Sequence, residues 1–259
     1  MKLGFGVTIA IFASTVLSLV PSNRCGDRTN AREKRNVGTL NWAGAAIPAP
    51  PDGSTFATVI ATFVVPTIDP PTMTPGTAVS IWVGIDGYNP LSPPVVQAGV
   101  DVEYASDGTQ IYRSWTEEEE PEDTGFAIAG GDIVTVQVTG SAGSDEATAL
   151  FTINGVQQDP IQFFPSDGPQ SQINGQKIEW VIERLPGEGK LGGSPSLLNF
   201  GTITLTDCAG STAMTAASSF PQNGDVIDME GADGNGVSAK TTLVGADGSD
   251  NIVITWQMS

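Results

Sequence analysis

An amide and a carboxylate flank a glycine in the stretch V-V-Q-A-G-V-D at 95–101. Strand alternation would place Gln97, Gly99 and Asp101 on one face. Because glycine has no side chain, that face would leave room for the backbone of a ligand beside two hydrogen-bonding groups. The alternative interpretation is the solvent face of an ordinary strand.

A glutamate with large apolar neighbours occurs in I-E-W-V-I-E at 178–183. Alternation directs Glu179 and Glu183 to one face and Ile178, Trp180 and Ile182 to the other. A carboxyl group between large apolar residues is partly desolvated, which raises its pKa and makes it a usable acid at mildly acidic pH. This stretch makes Glu179 a candidate acid, although the pattern alone is a weak signal.

A third stretch, W-V-G-I-D-G at 82–87, ends an apolar strand pattern in Asp-Gly. The pattern puts the carboxylate of Asp86 at the edge of a sheet. Taken alone, it is more typical of a strand followed by an ordinary turn than of a functional site.

The chain has no histidine among its 259 residues, although it has 29 acidic and 11 basic residues. Histidine is the usual general base near neutral pH and the commonest metal ligand. Its absence excludes a Ser-His-Asp triad, a Cys-His pair and a histidine-ligated zinc ion. An enzyme of this composition would use carboxylates, amides or hydroxyls, and carboxylates titrate near pH ~4. We therefore expect activity in acid, with no metal and no other cofactor.

The acidic residues are concentrated after position 35. Residues 36–259 contain 5 basic and 27 acidic residues, a net charge of −22. Such a body repels phosphate groups, so we expect neither a nucleic-acid partner nor an anionic membrane partner.

The elements that would position these groups are short strands. Strand patterns cover 59–65, 78–85, 95–102, 133–138, 147–153, 177–183 and 252–256, with weaker ones at 203–205 and 226–227. Asp-Gly and Asn-Gly pairs separate them, and no segment keeps a helical period over 11 or more residues. The spacing predicts one all-β domain, a two-sheet antiparallel β-sandwich.

The N-terminus is predicted to be a processing signal. Lys2 and an apolar run to Val20 are typical of a signal peptide over 1–22. A membrane anchor is the alternative, although the run is only marginally long enough. Residues 23–35 are basic and end in Lys34-Arg35, which predicts a propeptide and a mature domain at 36–259. We expect a secreted, extracellular monomer that has no membrane attachment after processing.

Two cysteines, Cys25 and Cys208, fall on opposite sides of the predicted cleavage point. Processing would leave Cys208 without an intrachain disulfide partner. We expect it to be buried and inert, in a domain that is held together by its core.

Several motifs together, in this order, resemble the fungal glutamic peptidases, or eqolisins. They are N-W-A-G-A at 41–45, W-V-G-I-D-G at 82–87, Q-A-G-V-D at 97–101, I-E-W-V-I-E at 178–183 and T-D-C at 206–208. Several spaced motifs in order are far more specific than any one of them. The resemblance implies a concanavalin A-like sandwich of two curved antiparallel sheets, similar to lectins and glucanases.

The resemblance also implies a secreted acid endopeptidase that acts on protein or peptide substrates. Its catalytic pair would be Gln97 and Glu179. Glu179 would activate a water molecule and then protonate the leaving amine, while the Gln97 amide would stabilise the oxyanion. An amide N–H is a good oxyanion donor and does not titrate in acid. Pepstatin is not expected to inhibit, since there is no paired-aspartate site.

The supporting residues implied by the resemblance are Trp82, Asp86, Asp101, Trp115 and Glu117. The family segment W-x-E-W-Y-P reads W-T-E-E-E-E-P at 115–121. Its later aromatics are replaced by glutamates and one residue is added, so we expect altered substrate subsites. Residues 118–120 are predicted to be a solvated acidic loop.

Other functions are compatible with a sandwich fold. D-V-I-D-M-E at 225–230 approaches the E-I-D-x-x-E strand of sandwich glucanases, with Asp228 and Glu230 on one face, which leaves a glycoside hydrolase or carbohydrate-binding module as the alternative. A third interpretation is a non-catalytic structural protein. The loss of Gln97 or Glu179 would have favoured it, but both residues are present. The segment 247–251 has a calcium-binding composition but is more typical of a turn.

Overall fold

The computed structural model describes residues 35–88, 95–117, 121–165, 171–185, 196–213, 218–219, 221, 224–245 and 251–257. These residues belong to one compact unit, Lys34–Ser259. Among them, no helix is long and apolar enough to cross a membrane. The predicted signal peptide, nearly all of the propeptide and the acidic residues 118–120 lie outside the described residues, as does most of the segment at 247–251.

The described residues form eighteen strands and one 3-10 turn at Pro51–Gly53, arranged as two sheets. Sheet A contains β1 (Asn36–Thr39), β2 (Trp42–Ile47), β4 (Thr77–Ile85), β5 (Val96–Tyr104), β6 (Gln110–Glu117), β7 (Pro121–Asp123), β12 (Ile178–Glu183), β13 (Ser196–Leu197), β16 (Asp225–Glu230), β17 (Val237–Val244) and β18 (Asn251–Trp256). Sheet B contains β3 (Phe56–Val64), β8 (Ile133–Gly140), β9 (Ala147–Ile153), β10 (Val156–Gln157), β11 (Ile161–Phe163) and β15 (Ser218–Ser219). The long strand β14 (Thr202–Thr212) contributes to both.

The part of sheet A that positions the polar groups has the strand order β7-β6-β5-β4-β12-β2-β16. Strand β12 is therefore inserted between β4 and β2, far from its sequence neighbours. Among the described strands, the pairings are antiparallel except for two short parallel ones, β1 with β16 and β13 with β4. The predicted all-β antiparallel sandwich is confirmed.

Strand β14 links the two sheets at the T-D-C motif. Its first half pairs with β18 and its second half with β3, and a register shift separates Thr206 from Ala209. Asp207 adopts φ 53°, so the motif forms a β-bulge that redirects the strand. Cys208 is buried, as predicted, and its Sγ donates to the carbonyl of Thr206 at 3.8 Å.

The hydrophobic core lies between the two sheets. Alternate residues of β4, β5 and β12 enter it, including Val83, Ala98 and Trp180, against sheet B residues such as Phe151. The indole of Trp180 donates to the carbonyl of Ile60 at 2.8 Å. Because alternate residues of these strands are used by the core, the remaining ones form the opposite face of sheet A, which we call the polar face.

Candidate active site

Gln97 and Glu179 lie on either side of Gly84 on the polar face. Gly84 of β4 pairs with Gln97 of β5 on one side and with Glu179 of β12 on the other. Directly paired residues in antiparallel strands project to the same face. With neighbouring strands about 4.8 Å apart, the two Cα atoms are roughly 10 Å apart, and the residue between them has no side chain. Sheet register thus brings the two predicted catalytic residues together.

The same cross-strand row continues in both directions. Glu117 of β6 pairs with Gln97, while Ala46 of β2 pairs with both Glu179 and Asp225 of β16. Polar side chains therefore alternate with small residues over the centre of the row. This arrangement leaves the carboxylate of Glu179 between two positions that lack large side chains.

Glu179 is fully buried, and within the described part of the chain neither of its carboxylate oxygens has a hydrogen-bond partner. Burial raises its pKa well above the ordinary glutamate value, and the negative charge of Asp86 adds to this effect. The backbone N–H of Tyr88 and the charge of Lys177 lower the pKa, although Tyr88 does not meet hydrogen-bond geometry at either oxygen. Glu179 is therefore a carboxyl group that holds its proton unusually strongly.

The amide of Gln97 is oriented by Glu117. Its Nε2 donates to the Glu117 carboxylate, and since an ionised carboxylate only accepts hydrogen bonds, the amide nitrogen must face it. One of the two N–H groups is used in this way, and the second has no partner within the described part of the chain. The Oε1 atom of Gln97 is buried without a partner among the described residues. Glu117 thus fixes the orientation of the Gln97 amide, whereas the sequence predicted only the strand face on which Gln97 lies.

The space above Gly99 is not open to a ligand backbone, so that prediction was wrong. A Cβ atom added at Gly99 would lie 2.6 Å from Cβ of Trp82 and 3.0 Å from Cζ2 of Trp115. The carbonyl oxygen of Ile81 and the ring of Trp115 also close this position. Trp42 meets Trp82 edge-on at a centroid distance of 5.0 Å. The position without a side chain that lies between the two catalytic candidates is Gly84, in the next row.

Asp101 holds Trp115 rather than joining the catalytic row. It accepts the Trp115 Nε1–H at 2.8 Å and a hydrogen bond from the Arg113 guanidinium at 2.6 Å. Both oxygens of this buried carboxylate are therefore occupied. Asp101 and Trp115 support the tryptophan row beside Gln97 and Glu179.

Asp86 is a buried anchor, a role that the sequence pattern of a strand followed by an ordinary turn did not predict. It is 0% exposed and its φ is 65°. Its carboxylate accepts three backbone N–H groups, from Asn174 at 2.8 Å, Gly175 at 2.9 Å and Gln176 at 2.8 Å. This loop leads directly into β12, so Asp86 fixes where the strand that carries Glu179 begins.

We expect Asp86→Asn to lower the free energy of unfolding by about 1.5–3 kcal/mol, the value of a hydrogen bond to a charged group. Asparagine tolerates the positive φ, but its Nδ2 cannot accept a backbone N–H. Urea unfolding measures the change. Asp107→Asn is the matched control, since Asp107 accepts the Thr109 N–H in an exposed turn and should change stability little. Equal effects of the two variants would contradict the anchoring role of Asp86.

Asp225 is a polar member of the row that the sequence did not place near Glu179. Its carboxylate binds the Arg35 guanidinium at 2.7 Å and accepts the Tyr88 hydroxyl at 3.3 Å. The backbone carbonyl of Arg35 also accepts the Val226 N–H, at 2.9 Å. Only the register of β16 with β2 relates Asp225 to Glu179. No local pattern could have revealed this.

The carboxylates of the glucanase-like stretch have structural contacts. Asp228 binds Lys240 and accepts the Thr241 N–H at 2.9 Å. A register shift between Met229 and Glu230 interrupts the predicted alternation. These contacts give no support to a catalytic Asp228–Glu230 pair.

Among the described residues, no cluster of three or more histidine, cysteine or acidic side chains could hold a metal ion.

The fold and the row define a β-sandwich protein with a buried glutamate and a glutamine amide facing one position. Residues 40–256 of the chain match the model of the Peptidase A4 family, the eqolisins. The chain belongs to this family, and the resemblance to the glutamic peptidases is confirmed.

Solved structures of glutamic peptidases share the fold. Scytalido-glutamic peptidase, solved with a transition state analog inhibitor, is 22% identical, with a TM-score of 0.65 and coverage of 84% of this chain and 98% of that one. SCP-B, an eqolisin solved with the tripeptide Ala-Ile-His, is 21% identical, with a TM-score of 0.64 and the same coverage. Aspergilloglutamic peptidase from Aspergillus niger is 24% identical, with a TM-score of 0.57 and coverage of 70% and 99%. No curated protein sequence matches the chain.

Proposed function

We propose that the chain is an acid endopeptidase in which Glu179 is the general base and general acid and Gln97 stabilises the oxyanion. Membership of the Peptidase A4 family supports a peptidase. The observation that carries the residue assignment is the row across Gly84, in which Glu179 and Gln97 face one position. Both Glu179 carboxylate oxygens and the Gln97 Oε1 are buried there and have no hydrogen-bond partner among the described residues. Buried polar atoms are normally hydrogen-bonded, so such a concentration is typical of a site that receives a ligand.

The reaction needs only these two side chains and water. Ionised Glu179 removes a proton from water, whose oxygen attacks the scissile carbonyl carbon. The resulting oxyanion accepts the N–H of Gln97 that Glu117 leaves available. Glu179 then transfers its proton to the amide nitrogen, the C–N bond breaks, and the carboxyl and amine products separate.

Peptides or proteins are the proposed substrates. The related scytalido-glutamic peptidase was solved with a transition state analog inhibitor, and SCP-B with a tripeptide. Trp82 and Trp115 would contribute the apolar surface beside the reacting groups, while Asp86 and Asp101 would hold the surrounding structure. No cofactor is required by this chemistry.

Hydrolysis should show an acidic limb that lies above the ordinary glutamate pKa of about 4.3. The general base must be ionised, so kcat/KM falls as the pH falls through the pKa of Glu179, which burial raises. A fluorogenic peptide assayed from about pH 3 to pH 7 reports this limb as the pKa of the free enzyme. We therefore expect cleavage to be faster in mild acid than in strong acid.

Controls separate this function from its alternatives. Pepstatin should leave the rate unchanged, and β-glucan should not be hydrolysed. Hydrolysis of β-glucan without peptide cleavage would favour the glycoside hydrolase. A rate that continues to rise below about pH 4 would contradict an ionised base of raised pKa.

We also propose that the protein is secreted through a signal peptide at 1–22, released from a propeptide at 23–35, and active as a monomeric domain at 36–259. Cleavage after Arg35 would remove the guanidinium that binds Asp225. N-terminal sequencing of the secreted protein tests the cleavage point. A mature chain that keeps Arg35 would overturn it.

A further inference from the structure

Glu183 is a half-buried carboxylate of the polar face that the proposed reaction does not use. It lies four residues after Glu179 on β12, on the same face. Its Oε2 accepts the Trp82 Nε1–H at 2.8 Å, and its Oε1 accepts Asn41 Nδ2–H at 3.1 Å. Both oxygens are therefore occupied, and one of them holds an indole.

The held indole reaches the catalytic row. A Cβ atom added at Gly84 would lie 3.1 Å from Cζ3 of Trp82, and 3.3 Å from Cβ of Gln97. Trp82 is 1% exposed and packs with Trp115, Val181 and Trp42 in a cluster separate from the main core. The nitrogen side of its ring is bound by Glu183, while the six-membered ring borders the position between Gln97 and Glu179.

We propose that Glu183 is a positioning residue, whose carboxylate holds the Trp82 indole against Gly84 and so shapes the space between Gln97 and Glu179 for the scissile amide. This role rests on the proposed function. Glu183 touches neither Gln97 nor Glu179 in this scheme and acts only through the orientation of Trp82. The bond from Trp82 to an ionised carboxylate is charge-assisted, which makes it about twice as strong as a neutral hydrogen bond.

The surroundings of Glu183 make this contact sensitive to pH. Ser80 of β4 pairs with both Glu183 and Asp101, and its buried Oγ has no partner among the described residues. Burial raises the pKa of Glu183, and the charge of Asp101 raises it further. The neighbouring donors lower this pKa. Trp42 is one of these donors, although its Nε1–H falls short of hydrogen-bond geometry. Arg113 faces Asp101 from β6. A proton bound by Glu183 would remove its negative charge and so weaken the bond to Trp82.

A double-mutant cycle in the full chain tests the proposal, with Glu183→Gln, Trp82→Phe and the double variant. Each single change should lower kcat by about 10-fold, with KM affected less, because misplacement of a supporting group by about 1 Å can cost up to ~10²-fold in rate. The double variant should be no slower than the slower single variant, because each single change already removes the same contact between Glu183 and Trp82. Glu103→Gln, on the same face of β5, is the control and should keep wild-type kcat and KM.

Indole fluorescence provides a readout that is independent of catalysis. The difference spectrum between wild type and Trp82→Phe should change with pH, and the same difference measured in the Glu183→Gln background should not. A wild type without peptidase activity would overturn the proposed function. An active wild type with additive effects in the cycle, or a Trp82 signal unaffected by Glu183→Gln, would overturn only the role of Glu183.

Discussion

Glu179→Gln is expected to lower kcat by about 10²–10⁴-fold, the usual contribution of a general acid–base group. Glutamine has nearly the same shape but cannot remove a proton from water or protonate the leaving amine. Cleavage of a fluorogenic peptide in mild acid measures the loss. The same substitution should make the protein more stable at neutral pH, which would separate loss of chemistry from loss of the fold.

The stability effect follows from the direction of the pKa shift. The pKa of Glu179 is raised in the folded state, mainly by burial. Between the two pKa values, the folded protein therefore holds a proton that the unfolded chain has released. The associated stability is fully present below the unfolded pKa of about 4.3, and it is lost as the pH rises through the folded pKa. Glutamine removes the charge, so the gain appears at neutral pH and disappears in strong acid.

Thermal unfolding at the two extremes of pH measures this difference. A change of 1 kcal/mol shifts Tm by about 2–4 °C in a domain of this size, which is easily resolved. Glu146→Gln, at an exposed position next to sheet B, is the matched control and should alter neither activity nor Tm. Retained cleavage, or a Tm that falls at neutral pH, would contradict the assignment of Glu179.

The faces of β5 and β12 could be predicted from sequence because their alternation is strict. Gln97 and Glu179 each follow an apolar residue of the core face, and a one-residue slip would bury the polar set instead. Their proximity could not be predicted in this way. It depends on the insertion of β12 between β4 and β2, and on the shared pairing with Gly84, which are long-range properties of the sheet.

The errors have a common physical cause. The space above Gly99 looked open because the sequence does not show that atoms of Ile81, Trp82 and Trp115, from the two neighbouring strands, occupy it. Asp86 looked like a turn residue because its three backbone donors come from a loop about 90 positions away. Strands β2, β6 and β17 were missed since their small or polar residues weaken the apolar pattern.

Gln97→Ala is expected to lower kcat by about 10²–10³-fold, the cost of removing one oxyanion donor. KM should change little, because the lost hydrogen bond forms to an oxygen that becomes negatively charged only in the transition state. Glu117→Gln is the matched control. Its amide oxygen can still accept the Gln97 Nε2–H, so the donor stays oriented and the loss should be much smaller.

Steady-state kinetics of the three proteins on one peptide measure both effects. If Gln97→Ala keeps most of the wild-type kcat while it remains folded, the oxyanion donor must be another group. If Glu117→Gln is as slow as Gln97→Ala, the charge of Glu117 is as important as the amide that it orients.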